Sequence, residues 1–287
     1  MRALSAKNNL AAGLGQQSGF VSLFALIFGM ALIAVSNALM ISVREQQLDS
    51  REAVYFAQVK DKAASCLETI LPLQNWFYTG APGANYDATI IGLCGLPTDK
   101  SIQYQLSNVI STNNISFRTL AYWIGPYSKQ DATVFNRATG VLALDPIAIN
   151  GDTISSYQRD WSNLIRVNEQ MRQLAHDHQL RFNTLYNTSG DAGFNFFRAS
   201  ACTAVTAGEI PCSDTVMGGT AGWKDMNTIN NAVVFSDMTP YSNIWGLPIS
   251  YCNTSECGAS LTSPFSILFS TNTPWGSTIS ISAMQNI

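Results

Sequence analysis

Polarity changes abruptly along the first 75 residues. Residues 1–19 are small and polar, with Arg2 and Lys7 as their only charges. From Phe20 to Met40 the chain is apolar and uncharged, about 21 residues, enough to cross a ~30 Å hydrocarbon layer as a helix. Neither Gly nor Pro occurs between Ile41 and Leu71, and apolar residues return at helical spacing. Leu48, Phe56, Val59, Ala63, Leu67 and Ile70 fall near one face, with Glu45, Asp49, Glu52 and Lys60 elsewhere. Pro72 ends the pattern. One helix of roughly 50 residues and about 75 Å is predicted, apolar all round in its first half and amphipathic in its second.

Beyond Pro72 the periodicity shortens. Gly80–Asn85 reads as a Gly/Pro loop, and β-type runs follow at Thr89–Leu93, Ile115–Ile124 and Val141–Leu144. Asn150-Gly-Asp152 is read as a turn into a second amphipathic helix, about Ser155–Tyr186. Trp161, Leu164, Met171, Leu174, His178 and Phe182 keep its 3.6-residue period. Short strands are expected at Val233–Phe235, Pro248–Tyr251, Phe265–Ser270 and Ser277–Ser282. The last alternates polar and apolar residues, as a half-buried antiparallel strand does. No repeat of 20–50 residues is visible. The class expected is α+β: a long N-terminal helix packed on an antiparallel sheet, and a disulfide-stapled head with an inserted helical region. The divisions are a leader at 1–19, the helix at 20–72 and an exported head at 73–287.

Composition narrows the function. Charged residues are 12% of 287, about half the usual share, and the net charge is −3. No basic run or stripe is available to neutralise phosphates, which argues against nucleic acid as a partner. Cys66, Cys94, Cys202, Cys212, Cys252 and Cys257 form no CxxC pair, so thioredoxin-like and zinc-ribbon sites are not supported. An even count on an exported chain reads as disulfides. Six cysteines allow fifteen connectivities. The sequence-local set is preferred: Cys66–Cys94, Cys202–Cys212 and Cys252–Cys257, the last flanking the polar turn Asn253-Thr-Ser-Glu256.

The positive-inside rule keeps Arg2 and Lys7 cytoplasmic and sends the C-terminal bulk outward, a single-pass arrangement. Two other readings fit the same segment: a signal peptide cleaved near Ala34, Ser36 and Ala38, and a plain membrane anchor.

The layout of a short basic leader, Gly19-Phe20 preceded by Gln16-Gln-Ser18, and then a long helix resembles type IV pilins and type II secretion pseudopilins. The resemblance implies that prepilin peptidase cuts after Gly19 and methylates Phe20. Phe24, Phe28, Leu32 and Val35 would then lie on the helix that holds the subunit in the membrane and afterwards packs in the filament core. Partners implied are other pilin subunits, prepilin peptidase and the inner-membrane assembly platform. Localisation implied is the bacterial inner membrane with a periplasmic head, then the filament or cell surface. One position departs from the family pattern. Most pilins carry Glu as the fifth mature residue, where it neutralises a neighbour's amine, and here that place is Phe24. A buried carboxylate is retained only where a partner exists, so Phe24 points to a minor, tip or priming subunit. Tyr241–Tyr251, containing Trp245-Gly-Leu-Pro248, resembles a strand-turn-strand of pseudopilin heads without its Asp and first Pro, and Pro264–Ser270 resembles the strand after it. Together the likeness covers roughly residues 15–75 and 241–287. The alternative is an exported adhesin or binding domain on a single anchor, without assembly.

Candidate chemistry is sparse. His176 and His178 are the only histidines, and two residues apart on a helix they point about 200° from each other, so they cannot share a metal. His178 is expected in the core and His176 in solvent. No Gly-x-Ser-x-Gly elbow, His-Glu-x-x-His, Walker A or Gly-x-Gly-x-x-Gly occurs. Neither a catalytic site nor a resident cofactor is expected. Asn187–Gly193 is the faint calcium candidate, short of acids for such a loop and better read as a turn. Trp76, Trp123, Trp161, Trp223, Trp245 and Trp275 are read as core or strand-face residues, with a sugar- or partner-binding patch as the alternative.

Overall fold

The computed structural model describes residues 11–287 apart from 82, 100–101, 126–131, 147, 149, 192, 200–209, 214–221, 227–240 and 286–287. Within its first helix, side chains are described from Leu23 onward except Asp49. The chain divides into two compact units, residues 1–61 and 62–287.

The first unit is helix. α1 spans Ala11–Ser65, 55 residues. No charged residue interrupts Leu23–Val43, so this stretch is long and apolar enough to cross a membrane. Its large apolar side chains are exposed throughout, from Leu23 and Phe24 to Ile41 and Val43.

In the second unit, α1 runs out through a π turn, Cys66–Ile70, and a 3-10 turn, Leu71–Leu73, in which Pro72 supplies the helix-ending ring. Two antiparallel sheets follow. In the first, β4 (Thr119–Ile124) lies between β1 (Ile102–Leu106) and β7 (Asn150–Ser155), with Tyr122 opposite Tyr104 on one side and Asp152 on the other. Every β4 residue is buried, as a central strand requires. Ala121 and Trp123 on one face pack on Phe135, with Leu142 beside them. These two come from the hairpin of β5 (Val134–Asn136) and β6 (Val141–Ala143). A second hairpin pairs β2 (Ile110–Thr112) with β3 (Ile115–Phe117).

The second sheet has the order β11-β10-β9-β8, from Thr278–Met284, Ser266–Asn272, Ile249–Cys252 and Lys224–Asp225. β11 keeps the predicted alternation: Ile279, Ile281 and Ala283 turn inward while Thr278, Ser280 and Ser282 turn out. The helix lying on this sheet is α3 (Tyr157–Ser189). Val167, Met171, Leu174 and Phe182 face Ile249, Tyr251, Ile267 and Phe269 in one core. Burying each such side chain contributes about 1.5–3 kcal/mol.

Three local readings of the sequence are corrected. Thr89–Leu93 is helical, within α2 (Asp87–Cys94). Asp87 sits in its first turn, Gly95 closes it in the left-handed region (φ 56°), and the bridge from Cys94 holds it. Asn150–Asp152 is not the turn into α3 but the start of β7, because β4 offers it a full antiparallel edge. Ile115–Ile124 is two strands, since the chain changes partners at Arg118: β3 pairs with β2, and β4 with β1 and β7. The Val233–Phe235 strand lies outside the described residues.

Candidate functional site

The residues expected to act in processing lie on α1. Gly19-Phe20 is continuous helix backbone, and its side chains fall outside the described set. Phe24, Phe28, Leu32 and Val35 follow at spacings of four, four and three, which places them on one helix face. All four are more than half exposed.

Cys66 bridges to Cys94, tying the π turn to α2, and Cys252 bridges to Cys257 across the end of β9. Of the third expected pair, Cys212 is buried and disulfide-bonded, whereas Cys202 lies outside the described residues. The turn between Cys252 and Cys257 is less exposed than its polar sequence suggests. Asn253 is buried there, donating through Nδ2 to Phe197 O (2.8 Å) and Pro211 O (3.1 Å) and accepting from Ser213 N (2.9 Å).

The histidines sit as their spacing predicts. His178 is buried; its Nδ1 donates to Leu174 O at 2.8 Å and its ring lies 4.5 Å from Phe269. Burial pulls its pKa down to about 3, so it is neutral. His176 is exposed. At the calcium candidate, α3 continues through Ser189 and Gly190 caps it with φ 68°. Asp191 Oδ1 is engaged by Gly193 N at 2.9 Å, an Asx turn. Among the described residues no three His, Cys, Asp or Glu side chains gather into a metal set.

Two cationic junctions have no counterpart in the sequence reading. Arg159, at the start of α3, donates through Nη1 to Leu67 O (2.6 Å) and Glu68 O (3.1 Å) and through Nη2 to Tyr78 OH (2.9 Å) and Asp160 Oδ1 (2.7 Å). Asp160 is fully buried and also accepts from Tyr78 OH (2.8 Å) and Ser156 Oγ (2.9 Å). Burial raises the pKa of the Asp160 carboxyl, against the pull of Arg159 and these donors. It raises the Tyr78 phenol too, with the Asp160 charge adding to it. Arg118 is the second junction. Its guanidinium donates to Phe77 O (2.6 Å), Ser107 O (2.6 Å) and Trp76 O (3.2 Å), facing Trp76 and Tyr86, which stack 4.2 Å apart. Burial lowers its pKa. Both arginines donate to main-chain carbonyls where a helix, a strand and a turn end, a structural use of charge.

Among the described residues, two depressions stand out on this unit. One, of about 500 Å³, runs past Glu68, Gln74, Tyr78, Arg159, Asn163 and Trp245. The other, of about 480 Å³, lies where the β2–β3 turn meets Trp275. Trp245 belongs to the Tyr241–Tyr251 segment, which folds as a turn into β9. Asn243 Oδ1 accepts from Trp245 N and Leu247 N, both at 3.0 Å, and Ser242 bridges to Pro248.

No family model, curated protein or solved structure matches the chain.

Proposed function

We propose that the chain is a minor subunit, of tip or priming type, of a type IV pilus or pseudopilus. It assembles through α1 and presents the head, residues 73–287. The observation that carries this reading is the surface of α1: an uninterrupted helix whose Leu23–Val43 stretch is charge-free and exposed. Such a surface requires cover, and lipid before assembly and neighbouring subunits' helices afterwards both supply it. Support for the pilin class comes from Gly19-Phe20 at the head of the apolar run and from the turn at Tyr241–Tyr251 feeding β9 and β10.

Phe24 supports the tip or priming role. A carboxylate buried without its amine partner costs several kcal/mol, so a subunit with none ahead of it is better served by an apolar ring. In this account prepilin peptidase, other pilin subunits and the inner-membrane assembly platform are the partners. The precursor sits in the bacterial inner membrane with its head in the periplasm.

Substitution of Gly19 tests the reading. It should block leader removal and assembly together, as loss of the peptidase should. Leader removal that persists in a strain lacking prepilin peptidase would overturn it. Phe24 also suits the runner-up, an anchored adhesin that never assembles. That reading predicts an intact N-terminus and no co-purification with pilus proteins.

A further inference from the structure

We infer that the depression beside Trp275 is a binding site for a neutral saccharide. It goes beyond the assembly role and does not depend on it. Two turns from distant parts of the head build the site. The β2–β3 hairpin turns through Asn113 (φ 51°) and Asn114 (φ 63°), the left-handed pair that a two-residue hairpin loop demands. The turn between β10 and β11 carries Trp275, and Gly276 (φ 84°) closes it.

The indole is fixed on three sides. Its Nε1 donates to Asn114 O at 2.9 Å, Trp245 meets it edge-on at 5.3 Å, and Tyr78 lies 5.5 Å away. A ring so held loses little freedom when a ligand covers it. Around it stand Ser111, Thr112, Asn113, Asn114 and Ser277. Asn113, Asn114 and Thr112 are exposed, so their amide and hydroxyl groups face solvent.

The chemistry selects the ligand. Hydroxyls and carboxamides each donate and accept, as sugar hydroxyls do. A pyranose also has an apolar C–H face that a tryptophan ring covers well, and the surrounding groups then meet its equatorial hydroxyls. No charged side chain lines the depression among the described residues, so a phosphate or carboxylate finds no counter-charge. A wholly apolar ligand would strand the ring of hydroxyl and amide groups. At about 480 Å³ the space lies within the ~300–1,000 Å³ range of small-ligand sites and holds one or two sugar rings.

The test is isothermal titration of the full chain, kept in a sugar-free amine-oxide detergent. The probes are neutral trimers of α-glucose, β-glucose, galactose and N-acetylglucosamine, with a sialylated trisaccharide as the charged control. At least one neutral trimer should bind with Kd near ~1 mM or tighter, and the sialylated probe at least ~10-fold more weakly. The Asn113→Gly/Asn114→Gly double variant keeps the left-handed turn and deletes both amides, so it should fold and lose affinity ~10-fold or more. Trp275→Ala should abolish binding. If it fails to fold, the glycine variant still decides. No neutral trimer bound at ~10 mM, equal affinity for the sialylated probe, or unchanged affinity in the glycine variant would each overturn the assignment.

Discussion

The Arg159 guanidinium caps the Leu67 carbonyl at 2.6 Å, joining residues 92 apart in sequence. The carbonyl belongs to the π turn that follows α1, where helical bonding runs out, and a cation there also meets the negative end of the helix dipole. The same guanidinium neutralises Asp160, so one side chain joins the turn, Tyr78 and the first turn of α3.

Arg159→Met therefore leaves a buried carboxylate without its cation and the buried Leu67 carbonyl without its donor. A loss of about 3–5 kcal/mol is expected, read as a lower Tm of the detergent-solubilised chain. Arg159→Lys should recover only part, because an ammonium cannot span the same fork of acceptors.

Arg118 predicts a similar hierarchy at a site with no carboxylate partner among its hydrogen bonds. Arg118→Leu removes a desolvated charge but strands the Phe77 and Ser107 carbonyls, while Trp76 O keeps its bond from Gly80 N at 2.7 Å. The balance should be a loss of about 2–4 kcal/mol in chemical denaturation. A variant as stable as the parent would show that the carbonyls find other donors.

His178 sets a pH dependence. Its folded pKa, about 3, lies below its ordinary value of 6.5 because the ring is buried. The unfolded chain thus takes up a proton that the folded chain refuses, and stability falls as pH drops from about 6.5 towards 3. The raised pKa of Asp160 acts in the opposite sense and offsets part of the loss. His178→Gln removes the imidazole contribution, so the variant should lose less stability than the parent between pH 6.5 and 4. Parallel curves would contradict the neutral assignment.

How much of this was legible in sequence depends on the range of the signal. The first half of α1 is written locally as an uncharged apolar run, and its second half, the extent of α3 and the alternation of β11 as periods of 3.6 and 2. His178 on the buried face follows from the same period. Thr89–Leu93 misleads because its β-branched residues suggest a strand, whereas the Cys66–Cys94 bridge and the Gly95 cap hold it helical. β7 was hidden because only its partner β4 makes Asn150–Ser155 extended. The arginine junctions carry no local signal at all: nothing near Arg159 or Arg118 in sequence names the carbonyls they reach. The Trp275 site combines turns 161 residues apart, so its aromatic was visible and its surroundings were not.

The two described disulfides should differ in worth. Cys66–Cys94 closes a separation of 28 residues and Cys252–Cys257 one of 5. Chain entropy assigns them about 4 and about 2 kcal/mol respectively. Paired Cys→Ala variants, followed by denaturant unfolding under oxidising conditions, should rank in that order. The reverse order would show that the short bridge holds the buried Asn253 turn by more than loop closure.

The central claim is that α1 is a pilin helix released from a leader at Gly19. N-terminal mass spectrometry of the protein from its native membrane tests it most directly. The account predicts a mature chain beginning at N-methylated Phe20. A chain beginning near Ala38, or one retaining Met1, would contradict it.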